Sequence, residues 1–186
     1  MKTVNIKEFN TLAYNYSSDT PLFIAILGGI ATGKSHVIRT HNFSSYAVVD
    51  FDDVMTKYGF DDYTKSGPQW TKAMEETDAL MSSLKKKKVP IVSQGTGGSY
   101  KWLKYRLEDS RAHGYRTAML YIHAPLAQAY SQNTRRRMNG QHYVQDHHLH
   151  LIETSAIRAK CNFNVLYREE PLLVDYICEY DNTIKN

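Results

Sequence analysis

Eight consecutive residues, Gly28-Gly29-Ile30-Ala31-Thr32-Gly33-Lys34-Ser35, follow the pattern G-x-x-x-x-G-K-[ST] without a gap. Glycines at these positions let the backbone curl so that successive N–H groups point inward at phosphate oxygens. A helix starting at the end of the loop adds the partial positive charge of its N-terminus. The chemistry to expect is capture of a nucleoside triphosphate, ATP with Mg²⁺: Lys34 reaches the β- and γ-phosphates and the Ser35 hydroxyl supplies a ligand to the metal ion. A second group, Asp50, Asp52 and Asp53, places carboxylates close together. A carboxylate facing the terminal phosphate could take the proton of an attacking hydroxyl. Asp50 is a further candidate for the Mg²⁺ shell and Asp53 for holding an acceptor.

The elements that must position these residues are legible around them. Leu22-Phe23-Ile24-Ala25-Ile26-Leu27 is a short, unalternating apolar run closed by glycines, the pattern of a central parallel strand buried on both faces. Further strands are expected at 46–50, 89–93, 117–123 and 172–178. Helices are expected after Ser35, over 69–87 and 100–113, from Pro125 onward and over 145–160, with a loop at 58–68. The first twenty residues read as an N-terminal helix or extension laid on the domain. Strands alternating with helices predict a doubly wound α/β fold with a mainly parallel, five-stranded sheet and helices on both faces. In such sheets ligands sit beyond the carboxyl ends of the strands. That rule selects Gly28–Ser35, Asp50–Asp53, Ser93–Gly98 and the stretch after His123.

Composition sets the outer bounds. The 186 residues are 42% apolar and 23% charged, with a formal net charge of +4. This suits one globular domain, 1–186, with 1–20 as its extension and about 133–145 as a lid. The mild basic excess suits a polyanionic partner without requiring one. Cys161 and Cys178 follow no metal-ligand spacing and fit a reducing compartment. The opening residues lack the apolar core of a signal peptide, and no apolar run approaches membrane-spanning length. A cytoplasmic protein is expected, in the host cytoplasm if phage-encoded.

Two function classes are disfavoured by what the chain lacks. A GTPase switch needs an Asn-Lys-x-Asp base reader, which is absent. An ATPase motor usually ends an apolar strand in Asp or Asp-Glu, whereas here that strand reads Ile91-Val92-Ser93-Gln94. The order of the motifs resembles the zeta-toxin and polynucleotide-kinase group of P-loop kinases. The resemblance is carried by Gly28–Ser35, by Val48-Val49-Asp50-Phe51-Asp52-Asp53, by Ile91-Val92-Ser93-Gln94-Gly95-Thr96-Gly97 and by Asn133-Thr134-Arg135-Arg136-Arg137, which together span about residues 22–160. It implies an ATP-dependent hydroxyl kinase with Asp52 as the base. Two positions depart from the pattern. Gln94 stands where zeta toxins have a glutamate and polynucleotide kinases have an aspartate nearby, and Met55 stands where polynucleotide kinases carry a phosphate-gripping arginine. Phage kinases that phosphorylate 5-hydroxymethyl pyrimidines within DNA share the general fold.

The remaining candidates carry bland alternatives. Lid arginines would neutralise charge on the transferring phosphoryl group, Arg136 foremost, with Arg135 toward the nucleotide and Arg137 toward substrate; a solvated basic helix end would look the same. Lys85-Lys86-Lys87-Lys88 resembles a nucleic-acid patch but reads better as a solvated helix end far from the site. His142, His147, His148 and His150 lack the partners of a zinc motif. Thr96 could hold substrate or serve only as a turn residue. Tyr58, Tyr63 and Trp70 could stack a base or belong to the core. The favoured expectation is γ-phosphate transfer from ATP to a hydroxyl on a nucleic acid or nucleotide. A zeta-type kinase acting on UDP-N-acetylglucosamine and an ATP-binding or ATPase interaction protein stand as alternatives.

Overall fold

The computed structural model describes residues 1–15, 19–41, 43–58, 67–141 and 143–183. Its strands are β1 (Lys2–Thr3), β2 (Leu22–Leu27), β3 (Ala47–Asp50), β4 (Ile91–Gly95), β5 (Arg116–His123) and β6 (Tyr176–Asp181). Its helices are α1 (Ile6–Tyr14), α2 (Lys34–Thr40), α3 (Phe51–Thr56), α4 (Pro68–Lys86), α5 (Tyr100–Ala112), α6 (Leu126–Met138) and α7 (His150–Glu169). The strands form one six-stranded sheet in the order β1-β6-β5-β2-β4-β3. Every pairing in it is parallel. This is the doubly wound α/β class expected, with one strand more than the five read from the sequence.

Strand β2 lies at the centre because all six of its residues are apolar and all six are buried. Successive side chains of a strand face opposite ways. Phe23, Ala25 and Leu27 therefore pack with Leu103, Leu107, Phe163 and Leu166 of α5 and α7. Leu22, Ile24 and Ile26 pack with Phe9, Ala13 and Val37 of α1 and α2. Two covered faces are what an unalternating apolar strand requires.

The differences from the sequence reading have local causes. The sixth strand, β1, is two residues long and pairs only with β6, Lys2 opposite Tyr176 and Thr3 opposite Ile177. Two residues carry no periodicity to read. The helix behind it, α1, opens on a capping box in which the Asn5 side chain accepts from Glu8 N and Glu8 returns a bond to Asn5 N. Strand β4 starts at Ile91 rather than Val89, since Val89 N still bonds to Leu84 O at the end of α4; the strand therefore carries Gln94 and Gly95 into the sheet. The apolar run at 172–174 is a turn, held by Thr117 Oγ1 donating to Leu173 O (2.6 Å), and β6 begins at Tyr176. The expected helix at 145–160 becomes a 3₁₀ turn, Asp146–His148, followed by α7, which runs on to Glu169. Within the expected loop at 58–68, residues 59–66, Tyr63 among them, lie outside the described residues, as does His142.

The lysine run also differs from a wholly solvated helix end. Lys85 is only 1% exposed and pairs with Asp109, and its Nζ lies 5.4 Å from the centroid of Phe23. Burial lowers its pKa, against the opposing pull of Asp109.

Because Phe9 is 1% exposed against the sheet, the N-terminal segment belongs to the core. Phe9→Ala is expected to cost about 3–5 kcal/mol of stability in urea unfolding, the usual cost of removing a buried phenyl ring. A loss under 1 kcal/mol would mean that α1 is only laid on the surface.

Candidate active site

The Gly28–Ser35 motif spans the turn from β2 into α2. Two residues in it take left-handed backbone, Ala31 (φ 59°) and Gly33 (φ 89°). Gly28 and Gly29 are required by close approach instead. A Cβ on Gly28 would lie 2.5 Å from Ile122 O, and one on Gly29 would lie 2.8 Å from Ala156 Cα. Thr32 closes the turn, its Oγ1 donating to Gly29 O (2.9 Å). Lys34 folds back over the loop and donates to Gly28 O (2.9 Å) and Gly29 O (2.8 Å). Ile30 N donates to Ser155 Oγ of α7 (2.9 Å). Asn182, just past β6, donates from Nδ2 to Thr32 O (2.9 Å).

The acidic group stands across from this loop. Asp50 ends β3 and caps α3, its Oδ1 accepting from Asp52 N (3.0 Å). Asp52 and Asp53 therefore lie in the first turn of a short helix, exposed, rather than along a strand. The parallel register sets Asp50 opposite Gln94 and Leu27 opposite Gly95, so three strand ends converge at one level. Gln94 Nε2 donates to Asp50 Oδ2 and lies 3.4 Å from Ser35 Oγ. Its Oε1 is buried and has no hydrogen-bond partner among the described residues. Ser35 and Asp50 thus flank one side-chain amide.

Electrostatics follow from this crowding. Desolvation by burial, above all, lowers Lys34 to about 8; Asp52 and Asp50 pull it back up, and Arg136 pushes it down. Burial, then the charges of Asp52 and Asp53, raise Asp50 to about 7, against the opposing effects of the Asp52 N–H and Lys34.

These residues share a cleft of about 990 Å³. Its lining includes Lys34, Ser35, Arg135 and Arg136 together with Asp50, Asp52, Asp53, Gln94 and Thr96. Arg135 and Arg136 occupy the last turn of α6, so the arginines expected in a lid sit on a helix end. Arg137, expected to face substrate, is not in the lining. It is tied to Asp146, its Nη1 lying 3.1 Å from Oδ1 and 3.0 Å from Oδ2, because successive helical residues point about 100° apart. Gly28, Gly29 and Thr32 form the turn behind the lining.

The cleft also holds residues that the sequence did not single out: Arg39, Arg106, Arg158, Ser155 and Asn182. Leu151, Thr154, Ser155 and Arg158 form one stripe of α7. Their spacing is the helical i, i+3, i+4, i+7, but nothing in the sequence says which stripe faces a ligand. Among the described residues no carboxylate pairs with Arg135, Arg136 or Arg158, whereas Arg106 is held by Asp78. The lining also holds aromatic side chains: Phe51 and Trp70 meet edge-on with centroids 4.4 Å apart, and Arg106 lies 4.6 Å over the Trp102 ring. His147 and His148 lie tilted to each other with centroids 4.0 Å apart, His148 and His150 meet edge-on at 6.2 Å, and none of the three is in the cleft lining.

Among solved structures, a chain of the PezAT chromosomal toxin–antitoxin system of Streptococcus pneumoniae is similar over 95% of this chain and 75% of its own, with TM-score 0.65 and 18% identity. A chain of the Pnkp1/Rnl/Hen1 RNA repair complex matches 81% of this chain with TM-score 0.66 and 14% identity. A protein of Chloroflexus aurantiacus, provisionally described as a kinase, matches 89% of this chain and 87% of its own, with TM-score 0.63 and 13% identity. The fold is that of P-loop kinases. This chain spans 48% of the RNA-repair chain, so the likeness there concerns one part of a larger protein. No protein-family model and no curated protein matches the sequence. No described helix is long and apolar enough to cross a membrane.

The raised Asp50 carboxyl gives a testable consequence. An unfolded chain releases that proton near the ordinary 3.8 and the folded chain near 7. Between those values the folded state binds more protons, so this group makes stability fall as pH rises through that window. Asp50→Asn is therefore expected to melt higher than the parent at pH 8 and almost equally at pH 4, in thermal unfolding without nucleotide. An equal difference at both pH values would remove the raised carboxyl.

Proposed function

We propose that this chain is an ATP-dependent phosphotransferase that moves the γ-phosphoryl group to a hydroxyl of a nucleic acid or nucleotide. The observation that carries the reading is that Lys34 and Asp52 line one cleft, together with the Gly28–Ser35 loop and aromatic side chains. The residues derive a simple transfer. The Gly28–Ser35 loop and Lys34 hold the triphosphate, and the α2 N-terminus adds its partial charge. Asp52 takes the proton of the acceptor hydroxyl. The freed oxygen bonds to the γ-phosphorus as the bond from that phosphorus to the β–γ bridging oxygen breaks, and ADP leaves with that oxygen. Arg135 and Arg136, with no carboxylate partner among the described residues, offset the charge spread over the transferring group. Thr96 and Asp53 hold the acceptor, and positioning supplies much of the rate.

Among the described residues no cluster of three or more His, Cys, Asp or Glu is arranged to hold a metal ion. Mg²⁺ needs no such cage, because it keeps several waters and takes one or two protein oxygens plus substrate phosphates. Ser35 and Asp50, on either side of Gln94, fit that role. Bound there, Mg²⁺ would neutralise phosphate charge.

The acceptor preference rests on the lining side chains of Phe51, Trp70 and Trp102, since aromatic faces stack bases at about 1–3 kcal/mol each. Two free cysteines, Cys161 and Cys178, suit a reducing compartment such as the cytoplasm.

Asp52→Asn is expected to lower transfer by at least about a hundredfold while ATP still binds, the usual scale for a lost general base. Lys34→Ala should lose both transfer and ATP affinity, read by isothermal titration. Transfer by Asp52→Asn at the parental rate would take Asp52 out of the mechanism.

The acceptor is tested by following labelled γ-phosphate into 5′-OH DNA and RNA, DNA containing 5-hydroxymethyluracil, nucleosides and monophosphates, and UDP-N-acetylglucosamine. Label on a nucleic acid or nucleotide is the expected result. Label on the sugar nucleotide alone would make the chain a zeta-type kinase. ATP binding with no label anywhere would favour an ATPase or interaction module.

A further inference from the structure

One helix touches both halves of the cleft. Ser155 of α7 accepts from Ile30 N in the phosphate loop (2.9 Å) and is itself held by donating to Ile152 O (2.9 Å). Two helical turns further on, Asn162 Nδ2 donates to Gly97 O (2.6 Å) in the loop that follows β4. That loop carries Thr96 into the cleft. Residues two turns apart share a face and stand about 10 Å from each other along a helix. The helix between them cannot flex independently, since Ala159, Phe163 and Leu166 are buried in the core and Phe163 packs on Tyr121 with centroids 5.0 Å apart.

Both loops are tight against their surroundings. Gly29 leaves no room for a Cβ beside Ala156, and Gly97 (φ +66°) would bring one to 3.2 Å from Leu27 Cδ2. Each loop is therefore located by α7 as well as by the strand before it. Those strands, β2 and β4, are direct neighbours.

We propose that α7 is a brace that makes the phosphate loop and the Gly95–Gly98 loop order together, with Ser155 and Asn162 as positioning residues. The inference rests on reading Gly28–Ser35 as the ATP site. A ligand that fixes Ile30 fixes the loop lying on Ser155. The rigid helix carries that restraint to Asn162, which holds Gly97 and with it Thr96. Nucleotide binding then prepares the acceptor side before any acceptor arrives, and the coupling is reciprocal.

The test is amide hydrogen exchange of the full chain, read by mass spectrometry, with and without the non-hydrolysable ATP analogue AMP-PNP and Mg²⁺. The parent is expected to show slowed exchange over both 28–35 and 95–100. Asn162→Asp keeps the shape of the side chain but replaces the donor with an acceptor. It should bind the analogue within about twofold of the parent and keep its protection at 28–35. The slowing at 95–100 should shrink about fivefold, the factor carried by one hydrogen bond. Asn162→Ala, judged by the same readout and by a near-parental melting temperature, serves if the aspartate perturbs folding.

Full protection at 95–100 in a folded Asn162 variant overturns the brace, as does a parent protected at 28–35 alone. Both outcomes leave the ATP site standing. A parent that does not bind the analogue at all overturns the reading of Gly28–Ser35, and the brace falls with it.

Discussion

A desolvated ammonium at the mouth of the central strand is the constraint around which the site is arranged. Lys34 follows the loop at the end of β2, and burial there disfavours its charged form. The loop answers with its own carbonyls, those of Gly28 and Gly29. Those carbonyls can turn toward Lys34 only because the chain curls tightly, and the curl brings Gly28 against Ile122 and Gly29 against Ala156. The identity of two glycines and the seating of α7 thus trace back to the location of one charge.

The same desolvation explains the acidic side. Asp50 and Asp52 pull the Lys34 pKa upward, yet Asp50 pays for its place among Asp52 and Asp53 by holding its proton more tightly. Here Gln94 matters as a neutral residue. A carboxylate at that position would add a further negative charge beside Asp50. The amide instead donates to Asp50 and reaches toward Ser35. The departure at Gln94 and the neighbouring Asp50 are therefore parts of one arrangement.

Local pattern made the central parts of this molecule legible. Leu22–Leu27 could be read as a doubly buried strand because every residue is apolar, and Gly28–Ser35 because its backbone demands are met only by those residue types. Asp50–Asp53 could be located from the strand before it, but not the helical turn that Asp52 and Asp53 occupy, because α3 is six residues long and begins without a break from β3. What stayed hidden depends on distant pairing. Lys2 and Thr3 become a strand only because β6 lies beside them. Lys85 is buried only because Asp109 and Phe23 are there to receive it. Arg137 differs from Arg136 by one step of helix rotation, which a run of three arginines does not reveal.

Asn182 adds a consequence of a different kind. Its side chain supports Thr32 and occupies the space beneath Gly33, and its backbone joins His123 and Gln128. The Gly28–Ser35 loop is translated early, yet its floor comes from a residue made 150 positions after Thr32. On the ribosome, a chain that has emerged only through β5 carries the complete motif but lacks the support beneath it. The loop therefore gains its Asn182 support only once β6 has been made.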